Sequence, residues 1–275
     1  MMKNLKKTLP LVLFGALVTN GAAHADQLAN IKAKGTLVCG VIDIFEPFGF
    51  VDPASRSVVG YDVDICNALG KALGVKVELK PVSIEARIPS LQQGHADVLA
   101  AGLAYTAQRA QQVDYSNAYY ISENVLVVRK SRNYKATADL AGKRISYVKG
   151  SISENYVNAA LPTAKPVGYD DAPTAFTALA QGRVEAITQS EEVLRKLINK
   201  LGDRAADYAV LQPSIGREVW GIGVRKNEPA LLNAVNEALS KLEGSGDLQA
   251  IFDKWLGPST LYQMQRSFKV EPIKG

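Results

Sequence analysis

Hydrophobic residues along most of the chain alternate between short apolar runs and longer stretches with helical spacing. The run TLVCGV at residues 36–41 predicts a strand, the amphipathic stretch at 61–74 a helix, and VKVELKPV at 75–82 a second strand. Residues 86–94 predict a short helix, and residues 96–102 predict a third strand. This order of elements predicts a mostly parallel sheet that is covered by helices on both faces.

A second block of alternating strands and helices follows after residue 130. The stretches LQQGHADVLAAG at 91–102 and LAQGRVEAITQS at 179–190 share one plan, in which a helix ends in Gln-Gly and a turn leads into a strand. Because open α/β sheets bind ligands at the carboxyl ends of their strands, we expect these two strand ends to face one crevice. The elements predicted in this block are a strand at 139–150, a helix at 151–161, a strand at 163–170, a helix at 172–182 and a strand at 183–190.

Two extended segments, NVLVVRKS at 124–131 and GIGVRKN at 221–227, flank the second block as strands that cross a hinge would. Beyond them, residues 229–246 and 247–257 have the amphipathic pattern of two helices. A domain inserted into another through two crossing strands is a hinged clamp. The predicted fold class is therefore α/β, with two lobes that each hold a mostly parallel sheet flanked by helices, joined by two hinge strands.

The first residues contain the three parts of a secretory signal peptide. They are a positive start with Lys3, Lys6 and Lys7, a short apolar run at 9–18, and the small-x-small sequence Ala23-His24-Ala25. The apolar run is too short to span a bilayer, so we expect cleavage after Ala25 and a periplasmic location. The predicted boundaries are a signal peptide at 1–25, a first lobe at 26–127 plus 223–275, and an inserted second lobe at 128–222.

Charge and composition narrow the class of partner. Without the three lysines of the signal peptide, Lys plus Arg falls from 32 to 29 against 27 acidic residues, so the net charge falls from +5 to +2. No basic cluster remains in the mature chain, which argues against nucleic-acid binding and favours a small molecule.

One histidine, His95, and two cysteines, Cys39 and Cys66, follow the signal peptide. With so few histidines and cysteines, we predict no metal, no cofactor and no histidine triad. His95 is interpreted as a solvated turn residue. For the cysteines, a disulfide and two buried free thiols are both compatible with the sequence.

Five segments resemble the bacterial extracellular solute-binding proteins, family 3, the polar amino-acid type, in that family's order. They are GYDVDICNALGKAL, RIPSLQQGHADV, YTAQRAQQVDYSNAYY, LAGKRISYVKGS and GVRKNEPALLNAVNEALSKL. The resemblance covers essentially the whole mature chain. It implies a two-lobed, type II periplasmic clamp, acting as a monomer, that closes on one solute and delivers it to an ABC permease in the inner membrane.

Arg109 occupies the position of the family's carboxylate-binding arginine. A guanidinium offers a planar fork that matches a carboxylate, whereas the alternative is a surface arginine paired with Asp114. The small residues Ala101, Gly102 and Ala104 would offer backbone groups to a ligand with no side chain in the way.

The resemblance nominates further ligand contacts. Ser151 is expected to form a capping box with Glu154, so that the helix N-terminus beginning at Ser151 and Ile152 faces the carboxylate. Phe45 corresponds to an aromatic wall, and Arg87 to a side-chain contact of acidic amino-acid binders, its alternative being a solvated first-turn arginine.

Two positions depart from the family pattern. Family members usually have Ser or Thr where Ala104 stands, and an aspartate that neutralises the ligand's α-ammonium where Ser190 stands. A buried ammonium without a partner is costly, so either Glu191 replaces that aspartate or the ligand is a carboxylate without an α-amino group. Both alternatives remain open at the level of sequence.

Two other functions are compatible with the same scaffold. A minority of relatives resemble periplasmic cyclohexadienyl dehydratases, for which Glu191 or Glu192 would be the acid. The same glutamates are also typical of the first turn of a helix. A free sensor subunit that signals to a membrane partner is the third alternative. We favour the solute-binding protein, and hence a protein that is not an enzyme.

Overall fold

A computed structural model describes residues 26–274, so the predicted signal peptide lies outside the described residues. The helices are α1 (Gln27–Lys34), α2 (Tyr61–Leu73), α3 (Arg87–Gln92), α4 (Ala107–Ala110), α5 (Ser153–Ala160), α6 (Ala172–Ala180), α7 (Glu191–Asn199), α8 (Pro229–Ser245) and α9 (Asp247–Trp255). The strands are β1 (Thr36–Val41), β2 (Ile44–Phe45), β3 (Gly49–Val51), β4 (Val58–Val59), β5 (Lys76–Pro81), β6 (Val98–Leu99), β7 (Val113–Arg129), β8 (Arg144–Val148), β9 (Lys165–Tyr169), β10 (Ala186–Ser190) and β11 (Tyr208–Arg225). Short 3₁₀ turns lie at Lys130–Arg132, Thr137–Leu140 and Gly202–Asp207.

The main sheet has eight strands in the order β5-β1-β6-β11-β7-β10-β8-β9. In its first half, β5, β1 and β6 run parallel, and in its second half β10, β8 and β9 also run parallel. Between them lie the long antiparallel strands β7 and β11, which belong to both halves. The predicted two-lobed α/β fold is confirmed, including the parallel order within each lobe and the pair of shared strands.

The two segments expected to cross the hinge pair in opposite halves of the sheet. Residues 124–129 pair with the beginning of β11 and with β10, whereas residues 221–225 pair with the beginning of β7 and with β6. Each segment is therefore one end of a much longer strand. The lobe boundaries at 127/128 and 222/223 remain predictions.

The largest core cluster packs around the first half of the sheet and is rich in aromatic rings. Trp220, Tyr120 and Phe48 are fully buried and contact one another with ring centroids between 4.6 and 4.9 Å apart. In the same cluster a disulfide joins Cys39 on β1 to Cys66 on α2, with their Cα atoms 6.1 Å apart. The pairing that the sequence left open is thus formed, and it ties the central strand of the first half to the helix that covers it.

Within residues 26–274, none of the helices has both the length and the apolar character that a membrane span requires.

Candidate functional site

A narrow cleft lies where the two halves of the sheet meet. Its lining residues are Ile42, Phe45, Ile84, Arg87, Gly102, Ala104, Arg109, Ser151, Ile152, Gln189, Ser190 and Glu218. All of the residues predicted for the site are among them except Ala101 and Glu191. The structure therefore brings together segments that lie far apart in the sequence, from both halves of the sheet.

Arg109 is positioned by the short helix α4. The hydroxyl of Thr106 accepts the backbone N–H of Arg109 at 3.0 Å and so caps this helix. The Arg109 guanidinium donates through Nη1 to the Ala104 carbonyl at 2.9 Å, and through Nη2 to the Gly150 carbonyl, in the second half, at 2.8 Å. Asp114, the alternative partner, instead pairs with Lys226 at 2.7 Å. Arg109 thus lies in the cleft with N–H groups left to donate.

Arg87 is a buried arginine with a predominantly structural set of contacts. Its Nε donates to the Ile84 carbonyl at 2.9 Å, and its Nη1 donates to the carbonyls of Ala101 and Gly102 at 2.9 and 2.8 Å. Its Nη2 donates to the Gly150 carbonyl at 3.1 Å, which leaves a single N–H unused. Burial and the neighbouring charge of Arg109 lower the pKa of Arg87 to about 9. The alternative interpretation, that Arg87 is a solvated arginine in the first turn of a helix, is wrong because the residue is only 4% exposed.

The small residues beside Arg109 orient the two arginines. The carbonyls of Ala101, Gly102 and Ala104 accept hydrogen bonds from the guanidinium groups, while Gly102 and Ala104 also line the cleft. Gly102 has a φ of +55°, and a Cβ there would lie 2.9 Å from the ring of Phe45. The backbone turn and the close aromatic contact therefore both require glycine at this position.

The segment of the second half that faces the arginines is a turn followed by α5. Gly150 has a φ of +73°, and a Cβ on it would lie 2.9 Å from the Cα of Glu85, across the cleft. The expected capping box is wrong, because the helix begins at Ser153 with Ile152 at the cap position and without a side-chain cap. The Ser151 hydroxyl instead accepts the N–H of Ser153 at 3.3 Å, since the turn at Gly150 places Ser151 ahead of the helix. Ser151 and Ile152 still line the cleft.

Phe45 lines the cleft, where it is available as the predicted aromatic wall. Its ring stacks on Phe48 with centroids 5.2 Å apart and lies tilted against Trp220 at 5.9 Å. The wall is thus continuous with the aromatic core of the first half, which holds the ring in one place. Trp220 was not identified from the sequence.

Glu191 does not replace the missing aspartate in this structure. Its carboxylate pairs with Arg195 one helical turn later, and it is not among the residues that line the cleft. Glu192 is buried and accepts hydrogen bonds of 2.8 Å from the hydroxyls of Tyr120 and Ser122. Both glutamates point away because they lie inside the first turn of α7, whereas only its cap, Ser190, reaches the cleft.

Sequence reasoning missed Glu218 on β11, which is the one carboxylate among residues 26–274 that lines the cleft. Its neighbours in the strand, the run VWGIGV that follows it, are apolar or small. A charged residue entering such a buried strand is the signal that could have found it, because a carboxylate is rarely buried without a partner.

The model of the bacterial extracellular solute-binding proteins, family 3, matches residues 37–258. The chain belongs to this family. The match spans both halves of the sheet and the whole cleft, so the resemblance seen in the sequence motifs is confirmed.

Relatives of this family 3 protein, both curated proteins and solved structures, align with most of its length. The ABC transporter glutamine-binding protein GlnH of Bacillus subtilis is 31% identical over 90% of this chain and 92% of its own. An ancestral arginine-binding protein bound to arginine is 36% identical, with a TM-score of 0.75 over 81% of this chain and 99% of its own. The similarity in structure confirms the type II periplasmic-binding-protein fold.

The comparisons and the cleft together favour a binding protein over an enzyme. The ancestral amino acid-binding protein AncCDT-1, described as a precursor of cyclohexadienyl dehydratase, is 31% identical, with a TM-score of 0.75 over 84% of this chain and 99% of its own. That relative is itself a binding protein, as are the curated relatives. Neither Glu191 nor Glu192, the acids nominated for dehydration, lines the cleft. The chain is a solute-binding protein, and its curated relatives, which are named as binding proteins, support the prediction that it is not an enzyme.

Proposed function

We propose that the protein is exported, is cleaved after Ala25 and works in the periplasm as the solute-binding subunit of an ABC importer. The three parts of a signal peptide at residues 1–25 support export. Relatives such as GlnH, named as an ABC transporter component, support the transport role. A monomer that meets an inner-membrane permease is the form that this role requires.

The solute is a small molecule with a carboxylate, of the amino-acid class. The observation that carries this proposal is the Arg109 guanidinium, which reaches from the first half of the sheet to the Gly150 carbonyl of the second half at 2.8 Å. A carboxylate that enters the cleft can take the remaining N–H groups of this guanidinium as charge-assisted hydrogen bonds. Relatives named for binding glutamine, cystine, arginine and histidine support the amino-acid class.

Capture proceeds by closure of two lobes about β7 and β11, with the boundaries at 26–127 plus 223–275 and at 128–222. Contacts across the cleft support this motion. They are non-covalent, so they form when the lobes close and break when the lobes open. Besides the hydrogen bonds to Gly150, Lys196 of α7 pairs with Glu46 in the turn after β2 at 2.7 Å. A ligand that contacts both sides adds to these contacts and favours the closed state.

A thermal-shift screen of amino acids and small mono- and dicarboxylates tests the proposal. A ligand at about a hundred times its Kd is expected to raise the unfolding midpoint by roughly 5 to 10 °C. Arg109→Ala should weaken that ligand by about thirtyfold or more, because a buried carboxylate loses its charged partner. Arg204→Ala, at an exposed arginine outside the cleft, is the matched control. No shift from any compound, or an Arg109→Ala variant that binds as tightly as the control, would contradict the proposed function.

A further inference from the structure

Glu218 places a buried negative charge in the cleft. The residue is 5% exposed, and its carboxylate accepts hydrogen bonds from Asn124 Nδ2 at 2.7 Å and from Trp220 Nε1 at 3.0 Å. Both donors are neutral, and each engages a different carboxylate oxygen. Since an ionised carboxylate can accept about four hydrogen bonds, each oxygen keeps a free acceptor position.

In the part of the chain that the structure describes, no positive side chain forms an ion pair with this carboxylate. Across residues 26–274, every Lys, Arg and His nitrogen is more than 4.0 Å from the Glu218 oxygens. Burial raises the pKa of Glu218, whereas the two neutral donors and the more distant charges of Arg109 and Arg87 oppose that rise. A buried carboxylate with only neutral partners is uncommon in proteins, and burying it costs free energy that a cation would recover.

The position of the Glu218 carboxylate is fixed by a network that reaches three other elements. Asn124 on β7 donates both to Glu218 and to the hydroxyl of Ser153 at the start of α5. The carbonyl oxygen of the same amide accepts from the hydroxyl of Thr188 on β10. Such a satisfied network holds the carboxylate in one orientation, as a specificity-determining group requires.

The cleft therefore has two poles. Arg109, with Arg87 behind it, supplies the positive pole, and Glu218 supplies the negative pole within the same cavity. A ligand with only a carboxylate would satisfy the first pole and leave the second without a partner. A ligand with a carboxylate and a positively charged nitrogen satisfies both, which is the electrostatic complementarity that gives specificity.

We propose that Glu218 receives the positively charged nitrogen of the solute, and that the protein discriminates against carboxylates lacking such a nitrogen. This inference rests on the proposed function and deepens it. The sequence left two explanations for the missing aspartate at Ser190: either Glu191 replaces it, or the ligand has no amino group. The proposal instead gives the role of that aspartate to Glu218 on β11. The nitrogen is the α-ammonium of an amino acid or a cation on its side chain, and both present the same charge to the carboxylate.

Matched ligand pairs test the proposal by isothermal titration calorimetry. The pairs are glutamine with glutaramate, glutamate with glutarate, histidine with imidazolepropionate, and arginine with 5-guanidinopentanoate. Norvaline, which keeps the α-ammonium but lacks the guanidinium of arginine, completes the arginine series. For the member of the panel that binds most tightly, the analogue without the recognised nitrogen should bind about thirtyfold or more weakly.

Three variants connect that preference to Glu218. Glu218→Gln should bring the affinities of the amino acid and of its analogue to within about threefold of each other. Glu191→Gln is the matched control and should keep the preference of the unmodified protein, since Glu191 lies outside the cleft lining. The double variant Ser190→Asp/Glu218→Gln returns a carboxylate to the cleft and should restore part of the preference. The double variant also shows that Glu218→Gln remains folded, and circular dichroism checks this independently.

The outcomes separate this inference from the proposed function. If amino acids bind but their analogues bind equally well, or if Glu218→Gln keeps the preference, the role of Glu218 is wrong while the proposed function stands. If the preference disappears in Glu191→Gln instead, the negative pole lies on α7 and the inference is overturned. If no member of any pair binds, both the proposed function and this inference fail.

Discussion

The two sides of the cleft hold their charges in different ways. On the arginine side, formed by Arg87, Arg109 and the segment 101–104, backbone carbonyls hold the guanidinium groups. On the acid side, formed by Ser190 and Glu218, side-chain donors from β7 and β11 hold the carboxylate. Apart from the Gly150 carbonyl in the second half of the sheet, the carbonyls that accept from the arginines lie close to them in sequence, whereas the carboxylate network joins distant strands. The arginine side is thus mostly local in sequence, and the acid side depends on tertiary structure.

The largest effect is expected from the disulfide beneath the arginine side. Cys39 and Cys66 close a loop with a sequence separation of 27, and Asp62 on the same helix accepts the N–H of Gly102 at 3.0 Å. Replacing both with alanine in Cys39→Ala/Cys66→Ala should lower the free energy of unfolding by about 3 to 4 kcal/mol, because the unfolded chain regains the entropy of that loop. Urea unfolding of the variant, with the reduced unmodified protein as control, measures this. An unchanged urea midpoint would show that the disulfide does not stabilise this side.

Replacing Arg87 should lower the free energy of unfolding more than replacing Arg109. Arg87→Ala removes a charged donor from three carbonyls of the first half and should cost about 3 kcal/mol in the free energy of unfolding. Arg109→Ala should cost less than about 1 kcal/mol, because its side chain is more open to solvent and its guanidinium makes only two backbone contacts. Urea unfolding of both variants without ligand measures the difference. An equal loss in the two variants would contradict the division between a structural and a ligand-binding arginine.

A smaller effect, dependent on pH, is expected from Glu192 behind the acid side. Burial raises its pKa from 4.5 to about 7, despite hydrogen bonds from Ser122 and Tyr120. The folded protein thus binds this proton more tightly than the unfolded chain does, so the free energy of unfolding falls as pH rises from about 4.5 to about 7. The fall should be roughly 2 to 3 kcal/mol for this group.

Glu192→Gln should remove this contribution and flatten the pH profile of stability. Asp62, whose pKa burial also raises to about 7, should maintain a remaining slope of the same sign. Glu191→Gln is the control, because Glu191 forms an exposed pair with Arg195. Denaturant unfolding between pH 4.5 and pH 8 gives the profiles. A Glu192→Gln profile as steep as that of the unmodified protein would contradict the assignment.

The contrast between the two sides also explains which features were predictable from sequence. Alternating strands and helices, with a second block between β7 and β11, are periodic patterns, and the structure contains them. Arg109 lies in the cleft, and its role as a carboxylate fork remains a prediction. Arg109 could be predicted because the segment YTAQRAQQVDYSNAYY resembles the family and places Arg109 at the position of its carboxylate-binding arginine. The position of the pocket followed from the equivalent strand ends at 102 and 190.

The features that sequence reasoning missed depend on the register between distant strands, on where a helix begins, or on how a helix packs against a strand. Glu218 reaches the cleft because β11 pairs with β7 so that Asn124 lies beside Gly216, with a bulge between Leu211 and Gly216. Glu191 is directed away because α7 begins immediately after Ser190. A shift of one residue reverses the face of a strand and rotates a helical side chain by about 100°, and no local pattern determines that shift. The disulfide depends in the same way on how α2 packs against β1.

A crystal structure of the protein with its tightest-binding solute from the paired panel tests the two-pole cleft most directly. The carboxylate of the solute should lie within about 2.7 to 2.9 Å of the Arg109 guanidinium nitrogens. Its positively charged nitrogen should lie within about 3 Å of a Glu218 carboxylate oxygen. A solute whose carboxylate faces away from Arg109, or whose positive nitrogen is held by backbone carbonyls or Glu191 and not by Glu218, would contradict it.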